Sequence, residues 1–153
     1  MEIIRNLNVN AEELFNLLED SLKVDIKTCT DEDIENIEQG FSYTKRVKNK
    51  IGSAGDVIVT IEEFCKPTLY KGKIYSNQGF NYVTYNLKEI DSENTEVTYT
   101  EDFISDKTMN NMNFKIMSKV MKKQSEKKAN RLISAMESYI LDQKRNEEQE
   151  CQD

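Results

Sequence analysis

Hydrophobic and polar residues follow two different periods along the chain, and the changes of period predict the order of its elements. The stretch from Glu2 to Val9 alternates loosely, as a strand does. Asn10 then offers an N-cap with Glu13 as its capping-box partner, and Val9 can pack on Leu14 as a hydrophobic staple. The next apolar residues recur at helical spacing and predict one amphipathic helix: Ala11, Leu14, Phe15, Leu18 and Leu22.

The segment after this helix fits neither period clearly as far as Thr30. Thr30 is followed by three carboxylates, which are favoured at the positive end of a helix dipole. This pattern predicts a second, short helix from Asp31 to Gln39, with Ile34 and Ile37 facing inward. Gly40 would then supply a left-handed helix end.

Beyond Gly40 the period changes to two, which is typical of strands with one buried face. Short turns separate the alternating stretches, with Pro67, Asn77-Gln78-Gly79 and Asp91–Asn94 as turn residues and 51–56 as a loop. Such turns favour antiparallel meander pairing. The predicted strands are 41–47, 56–64, 69–76, 80–90 and 95–104.

A long helical pattern follows the strands. Its apolar stripe begins at Met109 and continues to about Leu141, with Asp106 or Thr108 as the N-cap. Residues 143–153 are charged and rich in glutamine, which predicts a disordered tail. The element order predicts an α+β fold in one domain, residues 1–142, with a curved antiparallel sheet of about six strands wrapped around the long C-terminal helix.

Composition narrows the functional classes. The chain has 153 residues, and its 21 basic and 28 acidic residues give a net charge of −7, which disfavours nucleic-acid binding because phosphate backbones are repelled. The longest apolar runs are too short to span a membrane, and MEIIRNLNVN lacks the features of a secretory signal. Cys29, Cys65 and Cys151 form no CxxC pair, so free thiols and a cytoplasmic location are expected.

The absence of histidine is the strongest negative observation in the sequence. It removes serine or cysteine nucleophiles activated by histidine, most zinc sites and any imidazole base. The acidic clusters lack calcium-loop spacing, and no phosphate-binding glycine pattern occurs. We therefore expect no metal and no cofactor.

Glu101 is the leading candidate for a functional side chain. Alternation places it on the same strand face as Val97, Tyr99 and Phe103, where an unpaired carboxylate is costly. It would anchor a ligand or act as a general acid or base. The structural alternative is a carboxylate satisfied by a strand lysine such as Lys45, by a tyrosine hydroxyl, or by placement at an open sheet end.

Three tyrosines and two methionines complete the candidate ligand-binding set. Tyr43, Tyr85 and Tyr99 share strand faces with apolar neighbours, and an amphipathic ring suits a cavity wall. Met117 and Met121 on the last helix would form an adaptable wall opposite. Ordinary strand preference and helical core packing account for the same residues without a ligand.

The chain resembles the helix-grip superfamily, which includes START lipid-transfer domains, the birch-pollen allergen and polyketide cyclases. The segment Ile3-Ile4-Arg5-Asn6-Leu7 running into 9–15 is similar to the opening strand and helix of that superfamily. Gly40-Phe41-Ser42-Tyr43-Thr44-Lys45 and Tyr99-Thr100-Glu101 resemble motifs of an uncharacterised bacterial family of unknown function within it. The resemblance covers about residues 1–142.

This resemblance implies a cavity between the sheet and the long helix. The leading hypothesis is a non-catalytic domain that binds a small apolar or amphipathic molecule there, with Glu101 fixing its polar end. A second is a cyclase, dehydratase or hydrolase in which Glu101 is the base and a tyrosine the acid. A third is a protein-interaction module of the chaperone-binding type, acting through its surface. Oligomeric state is not indicated by the sequence.

Overall fold

The computed structural model describes residues 1–48, 54–105 and 112–152, except for the side chains of 112–121. One strand precedes the first helix, and five strands lie between the first helix and the second. In chain order they are β1 (Glu2–Leu7), α1 (Ala11–Thr30), β2 (Ser42–Lys48), β3 (Ala54–Cys65), β4 (Leu69–Ser76), β5 (Gly79–Asp91), β6 (Asn94–Ser105) and α2 (Met112–Glu150).

The six strands form one antiparallel sheet in the order β1-β6-β5-β4-β3-β2. The meander from β2 to β6 follows from short turns, and β1 closes the far edge by pairing with β6. The predicted α+β fold, with a curved sheet and a long C-terminal helix, is confirmed. β3 begins at Ala54, so the part of the predicted 51–56 loop that the structure describes is strand.

One core lies between the helices and one face of the sheet, which we call the inner face. Alternate residues of every strand reach this core, in keeping with the period of two. Phe15 of α1 and Ile133 of α2 are fully buried on the other side of it. The inner-face members include Ile3, Val59, Ile61, Tyr70, Tyr85, Leu87, Val97 and Tyr99.

α1 begins as predicted and ends later than predicted. The Asn10 side chain accepts hydrogen bonds from the backbone N–H groups of Glu12 and Glu13, at 2.8 and 3.4 Å. The helix continues to Thr30 because Ile26 extends its apolar stripe and is fully buried. The Glu13 carboxylate does not close a capping box; it pairs with Lys144 at 3.0 Å.

The short helix predicted over Asp31–Gln39 is absent. Asp31 is instead the left-handed C-cap of α1 (φ 62°), and its N–H donates to the Lys27 carbonyl. The carboxylates that follow therefore mark a helix end. Ile37 is still buried, and Gly40 has the left-handed φ expected of it (88°), in a turn before β2.

α2 is longer than predicted at its C-terminal end. The helix continues to Glu150, so the disordered tail expected from residue 143 is helical over most of its length. Lys144 explains part of this, because it lies 3.0 Å from Glu13 and 3.5 Å from Glu93 and ties the helix end to the domain. The predicted caps Asp106 and Thr108 lie outside the described residues.

Candidate ligand-binding site

A row of three tyrosines crosses the inner face of the sheet. Tyr70, Tyr85 and Tyr99 are directly opposite one another on β4, β5 and β6. Their ring centroids are 6.2 Å apart for the first pair and 4.9 Å for the second. Gly72 leaves room for this row, since a Cβ there would lie 2.5 Å from the Tyr70 hydroxyl oxygen. The three buried rings form a continuous aromatic wall, which we call the tyrosine row.

Burial keeps the hydroxyls of the tyrosine row protonated. Desolvation raises the pKa of Tyr70 to about 12, with a smaller contribution from Asp25. Desolvation is also the main cause of the raised pKa of Tyr85 and of Tyr99, and the negative charge of Glu101 adds to both. At neutral pH these groups are therefore neutral phenols that donate and accept hydrogen bonds.

Glu101 lies beside this row, on the inner face two residues beyond Tyr99. Its Oε1 accepts a hydrogen bond from Asn81 Nδ2 at 2.9 Å, and its Oε2 accepts one from the Tyr99 hydroxyl at 3.4 Å. Lys45 does not pair with it. Two of the structural alternatives are observed instead, because the Tyr99 hydroxyl contacts the half-buried carboxylate and the β6 residues that directly follow it are exposed. Among the described residues, no cation forms an ion pair with this carboxylate.

The second oxygen acceptor at this site belongs to Asn81. Its Oδ1 is buried and has no hydrogen-bond partner within the described part of the chain. Exchanging the amide oxygen and nitrogen of Asn81 would not give this oxygen a donor. The oxygen would then face the Glu101 carboxylate, which is itself only an acceptor. Glu101 and Asn81 together thus present oxygen acceptors beside the tyrosine row.

Tyr43 also lies on the inner face, but it belongs to a separate cluster at the β2 edge of the sheet. Its hydroxyl donates to Asp25 Oδ2 at 2.6 Å, and Lys45 Nζ lies 2.5 Å from Asp25 Oδ1. Burial raises the pKa of Tyr43, and its hydrogen bond to the Asp25 carboxylate raises it further. This cluster ties α1 to β2, and it leaves the Tyr43 hydroxyl engaged away from Glu101.

Two candidate methionines remain, and the structure adds two site residues that the sequence analysis did not name. Met117 and Met121 lie within α2, but their side chains are outside the described part. Asn81 was missed, although it alternates with Val83 and Tyr85 and so shares their face. Asp25 was missed too, although it lies three residues after Leu22 on the apolar stripe of α1.

We expect the tyrosine row to make the fold sensitive to alkali. Unfolded tyrosine ionises near pH 10, whereas folded Tyr70 holds its proton to about 12. The folded state therefore binds more protons in this interval, and the free energy of unfolding should fall as the pH rises from about 10 to about 12. Urea unfolding at several pH values measures this. Tyr70→Phe should reduce the slope, and an unchanged slope would contradict the assignment to Tyr70.

The outer face carries a second apolar feature. Ile58, Tyr75, Phe80 and Ile104 are neighbours in register across β3 to β6, and three of them are largely exposed. Tyr75 and Phe80 rings lie 4.9 Å apart. A depression of about 400 Å³ beside this row is lined by Thr44, Asp56, Ile58, Tyr75, Ser76 and Asn77. It lies on the opposite side of the sheet from the tyrosine row.

Comparison with known families decides the classification. Residues 1–122 match the model of the family described as Domain of unknown function (DUF3284). The chain belongs to this family. The DUF3284 match includes β1, α1 and the whole sheet, and therefore every candidate residue named above. No curated protein matches the chain.

Solved structures place this DUF3284 domain among helix-grip folds. Ara h 8.0201, which has the fold of the birch-pollen allergen, is 15% identical with a TM-score of 0.62 over 92% of this chain and 96% of that one. A protein from Thermus thermophilus is 15% identical with a TM-score of 0.63 over 92% and 96%. A Staphylococcus aureus protein of unknown function is 12% identical with a TM-score of 0.59 over 89% and 90%. At these identities the likeness concerns the fold alone. In the part of the chain that is described, no helix is long and apolar enough to cross a membrane.

Proposed function

We propose that this protein binds a small amphipathic molecule between the inner face of its sheet and α2. The apolar part of the molecule lies against the tyrosine row, and its polar end meets Glu101 and Asn81. The protein binds the ligand without converting it, in the cytoplasm and without a metal or a cofactor. The observation that carries the proposal is a pair of inner-face acceptors: the Glu101 carboxylate, which no described cation pairs with, and the buried Asn81 Oδ1, which has no hydrogen-bond partner within the described residues.

The physical argument concerns the cost of burying such groups. A buried carbonyl oxygen without a partner, such as Asn81 Oδ1, costs about 1–3 kcal/mol. A ligand donor would remove this cost, and a charged one would also pair with the half-buried Glu101 carboxylate. Aromatic walls with a few convergent polar groups are typical of small-molecule sites, and the tyrosine row supplies such a wall.

Native mass spectrometry of the protein as purified tests the proposal. We expect a reproducible adduct whose mass gives the ligand, because an apolar contact area and a polar anchor slow dissociation. Glu101→Gln should lose most of this adduct, since a charge-assisted hydrogen bond is worth about 1.5–3 kcal/mol, or roughly ten-fold or more in affinity. Glu96→Gln is the matched control, because Glu96 lies on the same strand with its side chain on the outer face. Equal adducts in both variants would contradict the role of Glu101.

One observation also favours the enzymatic alternative. The Tyr99 hydroxyl and the Glu101 carboxylate converge at 3.4 Å, and no described lysine bridges the carboxylate. A base of this kind with a protonated phenol beside it is an arrangement suited to proton transfer. The mass spectra separate the two functions: a binding protein returns one unchanged mass over time, whereas an enzyme converts its bound molecule to a second mass.

A further inference from the structure

We infer that the polar end of the ligand is an ammonium group rather than a hydroxyl. This rests on the proposed function, and it names the chemical class of the molecule held there. The anchor consists of the Glu101 carboxylate and Asn81 Oδ1, with the rings of Tyr85 and Tyr99 beside them. We call these four groups the cation site.

The balance of donors and acceptors distinguishes an ammonium from a hydroxyl. Asn81 Nδ2 and the Tyr99 hydroxyl already donate to the two Glu101 oxygens. The acceptors that remain at the site are the other lone pairs of the carboxylate and the unpartnered Asn81 Oδ1. A primary ammonium has three donors and no acceptor, so it matches this set. A hydroxyl brings a single donor and no charge, so it would leave the Glu101 carboxylate without a counter-charge.

The charge balance points the same way. Glu101 is half-buried, and no described lysine or arginine forms an ion pair with it: Lys45 pairs with Asp25, and Arg5 contacts the neutral side chains of Asn130 and Ser134. The ammonium of Met1 is adjacent in register, but it contacts the Glu101 carbonyl at 2.9 Å and the Asp102 carboxylate at 3.5 Å. A ligand cation would therefore supply the counter-charge that no described side chain gives Glu101.

The aromatic neighbours complete the cation site. The Tyr85 and Tyr99 rings meet edge to face, with centroids 4.9 Å apart and planes at 69°. In an edge-to-face pair, the ring that presents its edge does not stack its own electron-rich face on the partner ring, and such a face attracts a cation. Carboxylate and aromatic faces together are the usual means by which proteins recognise organic ammonium groups.

Isothermal titration calorimetry with benzylamine and benzyl alcohol tests this inference, because the two probes share a ring and differ in the polar group. The wild-type protein should bind benzylamine about ten times more tightly than benzyl alcohol. Glu101→Gln should remove this preference, whereas Glu96→Gln should retain it. Asn81→Ala should weaken benzylamine binding several-fold, since it removes the third acceptor.

Each other result has a definite meaning. Equal binding of both probes to the wild-type protein overturns the ammonium assignment and leaves the proposed function in place. Equal losses of benzylamine affinity in the Glu101 and Glu96 variants also overturn it, because they would reflect the overall charge of the protein. Failure of both probes to bind the wild-type protein overturns the cation site and the proposed inner-face pocket together. The wild-type comparison does not depend on the folding of any variant.

Discussion

Phe15→Ala is expected to lower the free energy of unfolding by about 3–5 kcal/mol, the range found when a buried phenylalanine is truncated. Phe15 on α1 is completely buried, and its ring meets Phe64 of β3 edge to face at 5.1 Å. It therefore joins the helix to β3, the strand next to the β2 edge of the sheet. A chain of this size should lose about 10 °C or more in melting temperature. Chemical denaturation followed by circular dichroism measures the change.

Phe103→Ala is the matched control for this substitution. Its side chain is 52% exposed near the end of β6, so truncation should cost less than about 1 kcal/mol. A similar loss for both variants would mean that Phe15 is not the centre of the core. It would also weaken the claim that α1 packs on the inner face.

Gly79→Ala is expected to lower the free energy of unfolding by about 2–4 kcal/mol. Gly79 has φ 137°, a conformation that residues with a side chain rarely adopt, at the turn between β4 and β5. A Cβ there would lie 2.9 Å from the Cα of Ser105 and even closer to the Ile104 carbonyl oxygen. The clash is with the backbone of the neighbouring strand, so no rotamer change relieves it.

Gly55→Ala provides the comparison for Gly79→Ala. Gly55 lies in β3, and apart from its chain neighbours no heavy atom of the described residues lies within 4 Å of a Cβ placed there. Alanine should be neutral or slightly stabilising, because glycine is the entropically costlier residue in a strand. The two melting curves should therefore separate clearly. Coincident curves would contradict the close packing of the β4–β5 turn on β6.

The fold could be predicted from the sequence because its strongest signals are local. Alternation of Val97 and Tyr99 with polar residues marked a strand face, and the Asn10 cap marked a helix start. The end of α1 was predicted less well. Acidic residues after Thr30 are compatible with either end of a helix. Burial of Ile26 in the tertiary structure favours continuation of α1 to Thr30, so these residues follow a helix end.

The tail was misjudged for a related reason. A charged, glutamine-rich sequence such as 143–150 carries no periodic apolar stripe, so its local signal is that of a disordered segment. The structure has it helical, where Lys144 reaches Glu13 on α1 and Glu93 in the β5–β6 turn. These three residues are far apart in the sequence, so local sequence patterns do not indicate the contact.

The candidate site could be predicted in part. Period-two alternation placed Tyr85, Tyr99 and Glu101 on one face, and the structure brings them together. Asn81 obeys the same alternation, but its importance comes from an oxygen without a partner, and only the three-dimensional packing shows that. Tyr43 obeys it as well, yet Asp25 of α1 takes its hydroxyl, a helix–sheet contact that strand periodicity does not describe.

A crystal structure of the protein as purified is the most direct test of the central claim, which is a ligand held on the inner face of the sheet. Our account expects density for a non-protein molecule against Tyr85 and Tyr99, with a donor within hydrogen-bond distance of Glu101 and Asn81 Oδ1. An inner face filled by the protein's own side chains, with Asn81 Oδ1 satisfied by one of them, would contradict it.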